Sequence, residues 1–572
     1  MLSDLLAERA SRCGDKIAYT YVQSASDVGR DITYAELYQE SLALAAVLLT
    51  KVSPGARALL LYPAGMEFVI AFYACILAGV IAVPLYPPRS TKKFQRFEAI
   101  LCDASPGLLL TVSGYLATVQ RGLSELINSQ VVECIATDCL EHDSPEMGSG
   151  IATHGNPIAF LQYTSGSTGL PKGVMVSHEN ILHNSACIQD SFRLSENSCS
   201  VSWLPHFHDM GLIDGIVQPL FSGFRGVLLA PETFVKRPVT WLQLITRFGA
   251  THCGGPNSAY ALCVQRIAAT DLIGLDLSRW HSAYCGAEPI RPETLEAFAA
   301  YFSVCGFRSE SFYPCYGMAE ATLMISGGDV DRAPVVIAFD STQLAKNKAI
   351  EAAEADHPIT RLVGCGQTRL GTKVSIVNPD TLLPCQDGTI GEIWVLGPSV
   401  SSGYWQQPHL SALTFQASTV GSQFTRYLRT GDLGFIRDGE IFVTGRCKDL
   451  IIMSGQNHYP QDIEFSVQSC SDALAKDRGV AFAMTRHGAD HLVVVQELLR
   501  TKLATIQPTT ILGRVREAIS FYHGLSVSEI ILVRPAGVPI TSSGKVQRRL
   551  CRDRYLEKTL PIVAQWSMLD DV

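Results

Sequence analysis

The chain has no C-x-x-C pair, no excess of basic residues and few charges of either sign, and each shortage removes a class of function. Its 17 cysteines are scattered; the nearest two, Cys134 and Cys139, have no histidines at zinc spacing, so the pattern of a structural metal site is missing. Scattered cysteines of this kind act as small buried hydrophobes in a reducing compartment. Lys and Arg number 46 against 54 Asp and Glu, a formal net charge of -8, which argues against a nucleic acid as the main partner. Charged residues make up 17% and hydrophobic ones 47%, so disorder is excluded: such a chain has ample apolar surface to offset ordering entropy. There is no low-complexity tract and no repeat of solenoid period. At 572 residues the expectation is a large, well-buried globular protein of several domains or subdomains.

The N-terminus, MLSDLLAERASRCGDK, carries acids in its first turns and lacks a basic n-region and a small-residue cleavage site, so a cytoplasmic location is expected. The uncharged run Phe68 to Tyr86 is long enough to cross a bilayer. Gly79, the β-branched Val80-Ile81-Ala82-Val83 and Pro84 break it, which predicts a helix that stops at glycine, a strand after it, and no membrane span. With the strand-like Leu59-Leu60-Leu61-Tyr62 before it, this is strand, buried helix, strand, the unit of a parallel sheet covered on both faces.

Apolar runs such as Ala159-Phe160-Leu161, Gly226-Val227-Leu228-Leu229 and Ile393-Trp394-Val395-Leu396 alternate with helical stretches such as Trp241 to Phe248. The predicted class is α/β: a large N-terminal domain of layered α/β subdomains with parallel-rich sheets, plus a small mobile C-terminal α/β domain. Asp438-Gly439-Glu440 is a hairpin signal before the strand Ile441-Phe442-Val443, and Gly445-Arg446-Cys447-Lys448-Asp449 is a polar connection. These place a boundary at Lys448, giving domains 1–447 and 448–572.

The most informative stretch is Tyr163-Thr164-Ser165-Gly166-Ser167-Thr168-Gly169-Leu170-Pro171-Lys172-Gly173. Its glycines allow tight turns, its hydroxyls donate hydrogen bonds and its lysine carries charge, which together suit a polyphosphate. It is not a Walker A loop, since Lys172 follows a proline and precedes a glycine. From composition alone it could equally be a Gly/Ser turn.

This loop, with Val174-Met175-Val176-Ser177-His178 after it, resembles the signature of the adenylate-forming superfamily, which includes acyl-CoA synthetases, peptide-synthetase adenylation domains and luciferases. Further matches follow in order: Tyr316-Gly317-Met318-Ala319-Glu320, Arg429-Thr430-Gly431-Asp432, Gly445 to Asp449, and Pro539-Ile540-Thr541-Ser542-Ser543-Gly544-Lys545. The resemblance implies attack of a carboxylate on the α-phosphate of ATP. In that case Thr164, Ser165, Gly166, Ser167, Thr168, Gly169 and Lys172 hold the pyrophosphate end, and Glu320, with Thr164, holds Mg²⁺. Asp432 would accept from the ribose hydroxyls with Arg446 close by. Gly286-Ala287-Glu288 and Tyr316-Gly317-Met318-Ala319 would form the adenine site. Lys545 would reach from the small domain to the reacting carboxylate and α-phosphate, and Lys448 would be the hinge. The nucleophile is the substrate, so the protein positions groups and neutralises charge.

Within the superfamily the sequence is similar to the fatty acyl-AMP ligases, which pass the acyl group to an acyl carrier protein instead of coenzyme A. The resemblance rests on Ser202-Trp203-Leu204-Pro205-His206-Phe207-His208-Asp209-Met210-Gly211-Leu212, on Gly254-Gly255-Pro256-Asn257, on Ala319, where general members carry Thr or Ser, and on Gly455 to Asp462. It implies an acyl pocket at His208, Asp209, Met210, Gly255, Ser258 and Tyr260, with His208 a wall of the catalytic centre and not a base. The stretch from Tyr316 to Gly364 is also longer than is usual for acyl-CoA synthetases. Its extra part, about 333–362, contains the strand-like Val335 to Phe339 and the alanine-rich, helix-like Leu344 to Ala355. In the resembled family an insertion here hinders the rotation that builds a coenzyme A site. An acyl-CoA synthetase, an amino-acid adenylating enzyme using Asp209, and a nonenzymatic acyl or nucleotide sensor are the other readings.

Overall fold

In the strand Arg57–Leu60, the helix Met66–Ala78 and the strand Ile81–Pro84, near-continuous apolar sequence becomes a crossover in which every helical residue but Glu67 is buried. Gly79 ends the helix at φ 64°, the left-handed conformation that glycine adopts without strain, and the two strands pair in parallel with Arg57 opposite Ile81. The computed structural model describes residues 1–86, 94–124, 132–140, 156–164, 171–352, 358–422, 424–453, 456–486, 489–541 and 544–568. Among them, no helix is long and apolar enough to cross a membrane.

The described strands of the large domain form a six-stranded sheet, a nine-stranded sheet and an antiparallel four-stranded sheet. The six-stranded sheet is parallel except for the hairpin of Ile158–Thr164 with Lys172–Ser177. In the nine-stranded sheet, Cys199–Ser202, His252–Gly255, Ser282–Cys285 and Phe312–Gly317 run parallel, so the loops that leave them gather at one edge. The small domain folds around a second four-stranded sheet, Leu474–Arg486, Ala489–Leu498, Val527–Val533 and Ile562–Ser567, with helices Pro460–Ser469 and Pro508–His523 over its own apolar cluster. The chain is thus a large N-terminal α/β domain plus a smaller C-terminal α/β domain, as its apolar pattern predicts.

The stretch expected to be an insertion contains a hairpin, Val336–Asp340 paired with Ile359–Val363. The helix expected over Leu344 to Ala355 does not form over the described residues 345–352. Asp340 caps a single turn, Ser341–Leu344, by accepting from the N–H groups of Thr342 and Gln343, and Asn347 then turns left-handed at φ 61°. The Ala349 N–H donates to the Gly388 carbonyl at 2.7 Å, and Glu351 bridges to Phe339. Alanine's helical advantage is only a few tenths of a kcal/mol per residue, and burial of Leu344 and Ala349 against Phe435 and Phe442 outweighs it. Residues 353–357 of this stretch lie outside the described residues.

Candidate active site

Loops at the carboxyl ends of the parallel strands, where open α/β sheets receive ligands, and the facing surface of the small domain enclose a cavity of about 3020 Å³. Thr164 and Lys172 face each other across the open end of their hairpin. Ser165, Gly166, Ser167, Thr168 and Gly169, which join them, lie outside the described residues. Lys172 is buried, with its ammonium 5.0 Å from the ring centre of Tyr404. Burial, then the Lys448 cation, pushes its pKa down, while Glu320 opposes them. The segment carrying Tyr404 is tied to the lysine's strand: Trp405 N–H donates to the Gly173 carbonyl at 2.7 Å and Met175 N–H to that of Gly403 at 3.0 Å.

Glu320 sits on a single turn, Ala319–Ala321, after the strand Phe312–Gly317. A Cβ at Gly317 would come within 1.9 Å of the Leu323 carbonyl oxygen, so this close crossing requires glycine. Thr322 closes the turn at φ 69°, ψ -60°, with Leu323 N–H donating to the Ala321 carbonyl at 2.8 Å, a strained γ-turn. The Thr322 hydroxyl donates to the Ser399 carbonyl at 2.7 Å and secures that geometry. The Tyr404 hydroxyl donates to Glu320 Oε1 at 2.9 Å. Burial raises the Glu320 pKa, and Asp209 and Asp432 add to the rise, so a bound cation would relieve this carboxylate. Among the described residues no cluster of His, Cys, Asp and Glu could hold a metal by itself. One carboxylate, Glu320, lining the same cavity as Thr164, fits Mg²⁺, which keeps most of its ligands on water and phosphate.

Asp432 accepts from the Tyr316 hydroxyl at 2.8 Å through Oδ2 and from Arg446 Nε at 3.1 Å through Oδ1. Asp432, more than any other cause, raises the Arg446 pKa. Beside them Gly286 is buried and Ala287 is exposed to the cavity at φ 64°, a conformation a non-glycine residue holds only under strain. Met318 and Ala319 line the same wall.

Lys545 stands in the cavity from the small-domain side, accessible to cavity water yet enclosed by both domains. Its loop is closed by Thr541 N–H donating to the Lys545 carbonyl at 2.8 Å and by Lys545 N–H donating to the Thr541 hydroxyl at 3.1 Å. Enclosure, then Arg446, lowers the pKa of its ammonium, while Asp209, Glu288 and Asp432 hold it up. Two lysines, each depressed in part by a neighbouring cation, suit a polyanionic ligand such as ATP. Between the domains, Arg291 donates to the Gln461 carbonyl at 2.8 Å and stacks 4.1 Å over Phe465.

His208, Asp209 and Met210 line the cavity. Asp209 accepts from the Met210 N–H at 2.8 Å and opens the π-helix Met210–Val217; burial raises its pKa and Lys545 lowers it. Burial, then Lys545 and Arg96, pushes His208 down to about 3, so its ring is neutral and acts as a wall. Gly255 and Tyr260 do not line the cavity. A Cβ on Gly255 would meet the Trp203 ring at 2.9 Å, and Tyr260 is packed among Trp241, Trp280 and Phe298 with its hydroxyl on the Tyr284 carbonyl. Ser258 also lies off the cavity wall: its N–H and hydroxyl donate to Glu288 at 2.9 and 3.1 Å, and it is Glu288 that lines the space. The sequence reading missed Tyr404, Arg96 and Asp214, which line it too. For Tyr404, the aromatic after Gly403 in a Gly/Ser stretch was a usable signal.

Residues 6–405 match the family described as AMP-binding enzyme, and residues 448–565 match the AMP domain described as Disco-interacting protein 2-like. The chain belongs to the AMP-binding enzyme family. This AMP-binding enzyme is 40% identical to the medium-chain-fatty-acid–[acyl-carrier-protein] ligase JamA of Moorena producens, over 99% of this chain and 96% of that one. It is 36% identical to the long-chain-fatty-acid–AMP ligase FadD26 of Mycobacterium tuberculosis, over 96% of each chain. Among solved structures, the fatty acyl-adenylate ligase of Legionella pneumophila in complex with acyl adenylate and pyrophosphate superposes with a TM-score of 0.75 at 37% identity, covering 99% of this chain and 97% of that one. The protein is an adenylate-forming ligase, closely related to ligases of fatty acids.

Proposed function

We propose that this ligase joins a fatty acid to AMP and then passes the acyl group to the phosphopantetheine thiol of an acyl carrier protein. The carrying observation is the convergence, in one cavity, of Lys545 from the small domain with Lys172, Glu320 and Asp432 of the large one. A carboxylate oxygen of the acid attacks the α-phosphorus of ATP, the bond from that phosphorus to the bridging oxygen breaks, and pyrophosphate leaves. The acid is already ionised at neutral pH, so no base is required, in keeping with a neutral His208. Lys545 neutralises charge on the carboxylate and α-phosphate, Lys172 and the loop from Thr164 hold the leaving pyrophosphate, and Asp432, oriented by the Tyr316 hydroxyl and Arg446 that donate to it, accepts from the ribose. Mg²⁺, held by Glu320 and Thr164, would supply neutralisation of phosphate charge. In the second step the carrier thiolate attacks the acyl carbon and AMP leaves.

The insertion supports a carrier over coenzyme A. Its Phe339, Leu344 and Ala349 share an apolar cluster with Phe435 and Phe442 of the large domain and Tyr459 of the small one. Its backbone also holds the small domain: Asn457 N–H donates to the Ala345 carbonyl at 3.0 Å, and the Asn457 amide donates to Asn347 Oδ1 at 2.9 Å. These contacts favour the adenylating orientation of residues 448–572 against 1–447, with Lys448 as the hinge. Mass spectrometry of products from ATP, fatty acid and either coenzyme A or a phosphopantetheinylated carrier tests this. Acyl-AMP and acyl carrier are expected; rapid acyl-CoA formation would make it an acyl-CoA synthetase.

A further inference from the structure

The cavity has a polar feature that adenylation does not use. Besides Met210, its lining includes the apolar Ile188, Phe192 and Met324 and the acidic Asp214. Asp214 lies on the π-helix Met210–Val217, where Gln218 N–H reaches back to the Ile213 carbonyl. The rotation of this helix is set by close packing: a Cβ at Gly211 would sit 2.1 Å from the Pro205 carbonyl oxygen, and one at Gly215 2.8 Å from the Ser202 hydroxyl. So held, the Asp214 side chain is only 6% exposed, and Oδ1 accepts from His252 Nε2 at 2.7 Å. His252 is fully buried, its Nδ1 2.9 Å from the Ser282 hydroxyl and its ring 4.5 Å from Phe192 and 5.2 Å from Tyr284. The Tyr284 phenol is raised by burial and then by the Asp214 charge, and the Cys315 thiol is pushed up to about 12 by the same two causes. Both side chains line the cavity as well.

An alkyl chain packed against this side of Asp214 offers its carboxylate no further donor beyond His252, whereas a chain with its own donor would add a hydrogen bond to a buried charge. We propose that Asp214 makes the acyl pocket selective for fatty acids that carry a hydrogen-bond donor, a hydroxyl or an amino group, along the chain. This rests on the fatty-acid reading above. Asp214 acts as a specificity residue and takes no part in the chemistry.

The test is ATP–pyrophosphate exchange by the full-length enzyme with saturated fatty acids and their hydroxy and amino counterparts of equal length, in the wild type, Asp214→Ala and Asp214→Asn. The best donor-bearing acid is expected to exceed its plain counterpart in kcat/KM by at least about tenfold in the wild type, and Asp214→Ala to bring that ratio near one. Asp214→Asn, which keeps an acceptor but loses the charge, should reduce the advantage of amino acids more than that of hydroxy acids. It also decides the matter should Asp214→Ala not fold. A wild type that prefers plain chains, or a ratio unchanged in both variants, overturns the proposal. Exchange with no fatty acid of any kind would overturn the fatty-acid reading itself.

Discussion

Tyr404 and Glu320 are joined by a hydrogen bond of 2.9 Å from phenol to carboxylate, and the same ring offers its face to the Lys172 ammonium at 5.0 Å. One aromatic side chain thereby sets the distance between the carboxylate proposed for Mg²⁺ and the lysine proposed for pyrophosphate. The contact is also electrostatic, because the phenol's donated bond counters the effect of burial on Glu320.

Tyr404→Phe keeps the ring and removes the donor. Loss of one hydrogen bond to a charged group should lower exchange about tenfold and raise the Mg²⁺ concentration needed for half-maximal rate. Tyr404→Leu, which also removes the cation–π contact, should raise KM for ATP in addition. An unchanged Mg²⁺ requirement in Tyr404→Phe would show that the bond does not orient a metal ligand.

Lys545→Ala should reduce ATP–pyrophosphate exchange by at least about a hundredfold while calorimetry still detects ATP binding, because the lysine's contact matters most where charge develops. Exchange retained in that variant removes Lys545 from the mechanism.

Lys448→Pro tests the hinge. Proline fixes φ and should trap one orientation of the small domain, so adenylate formation should persist while carrier loading is lost. Single-turnover measurement of each step separates them, and equal loss of both contradicts the hinge.

Stability should fall in mild acid. His206 is buried 4.1 Å from the Phe68 ring with Nε2 unpartnered, and burial holds it down to about 4. An unfolded chain protonates histidine near pH ~6.5, so the stability this neutral ring contributes is complete above that pH and is lost as pH falls toward 4. His178 and His523, also at about 4, and His208, at about 3, act with the same sign. The urea midpoint should drop between about pH 7 and pH 5, and the drop should shrink in His206→Leu, which cannot be protonated. A drop of equal size in that variant would exclude His206 as a source.

Local pattern was enough for the parts of the chain that answer to nearest neighbours. The break in the run from Phe68 to Tyr86 became a left-handed glycine between helix and strand, and Asp438-Gly439 became a tight hairpin with φ of 51° and 80°. Motif residues far apart, such as Glu320, Asp432 and Lys545, do line one cavity. The stretch from Leu344 shows where such reading fails: alanine-rich composition favours a helix, and contacts with Gly388 to Ile390, Phe435 and Asn457, remote in sequence, replace it with turns and bridges.

The amino-acid order by itself determined the alternation of strands and helices and the family's loops, because those depend on backbone preference and spacing along the chain. Tertiary structure alone decided that Tyr260 and Gly255 turn into the core, that Ser258 serves Glu288, that Tyr404 bridges Glu320 and Lys172, and that Asp214 meets His252 beside the cavity. The reason is geometric: which way a side chain points depends on how sheets and helices stack against one another, and that stacking is settled by residues far away in the chain.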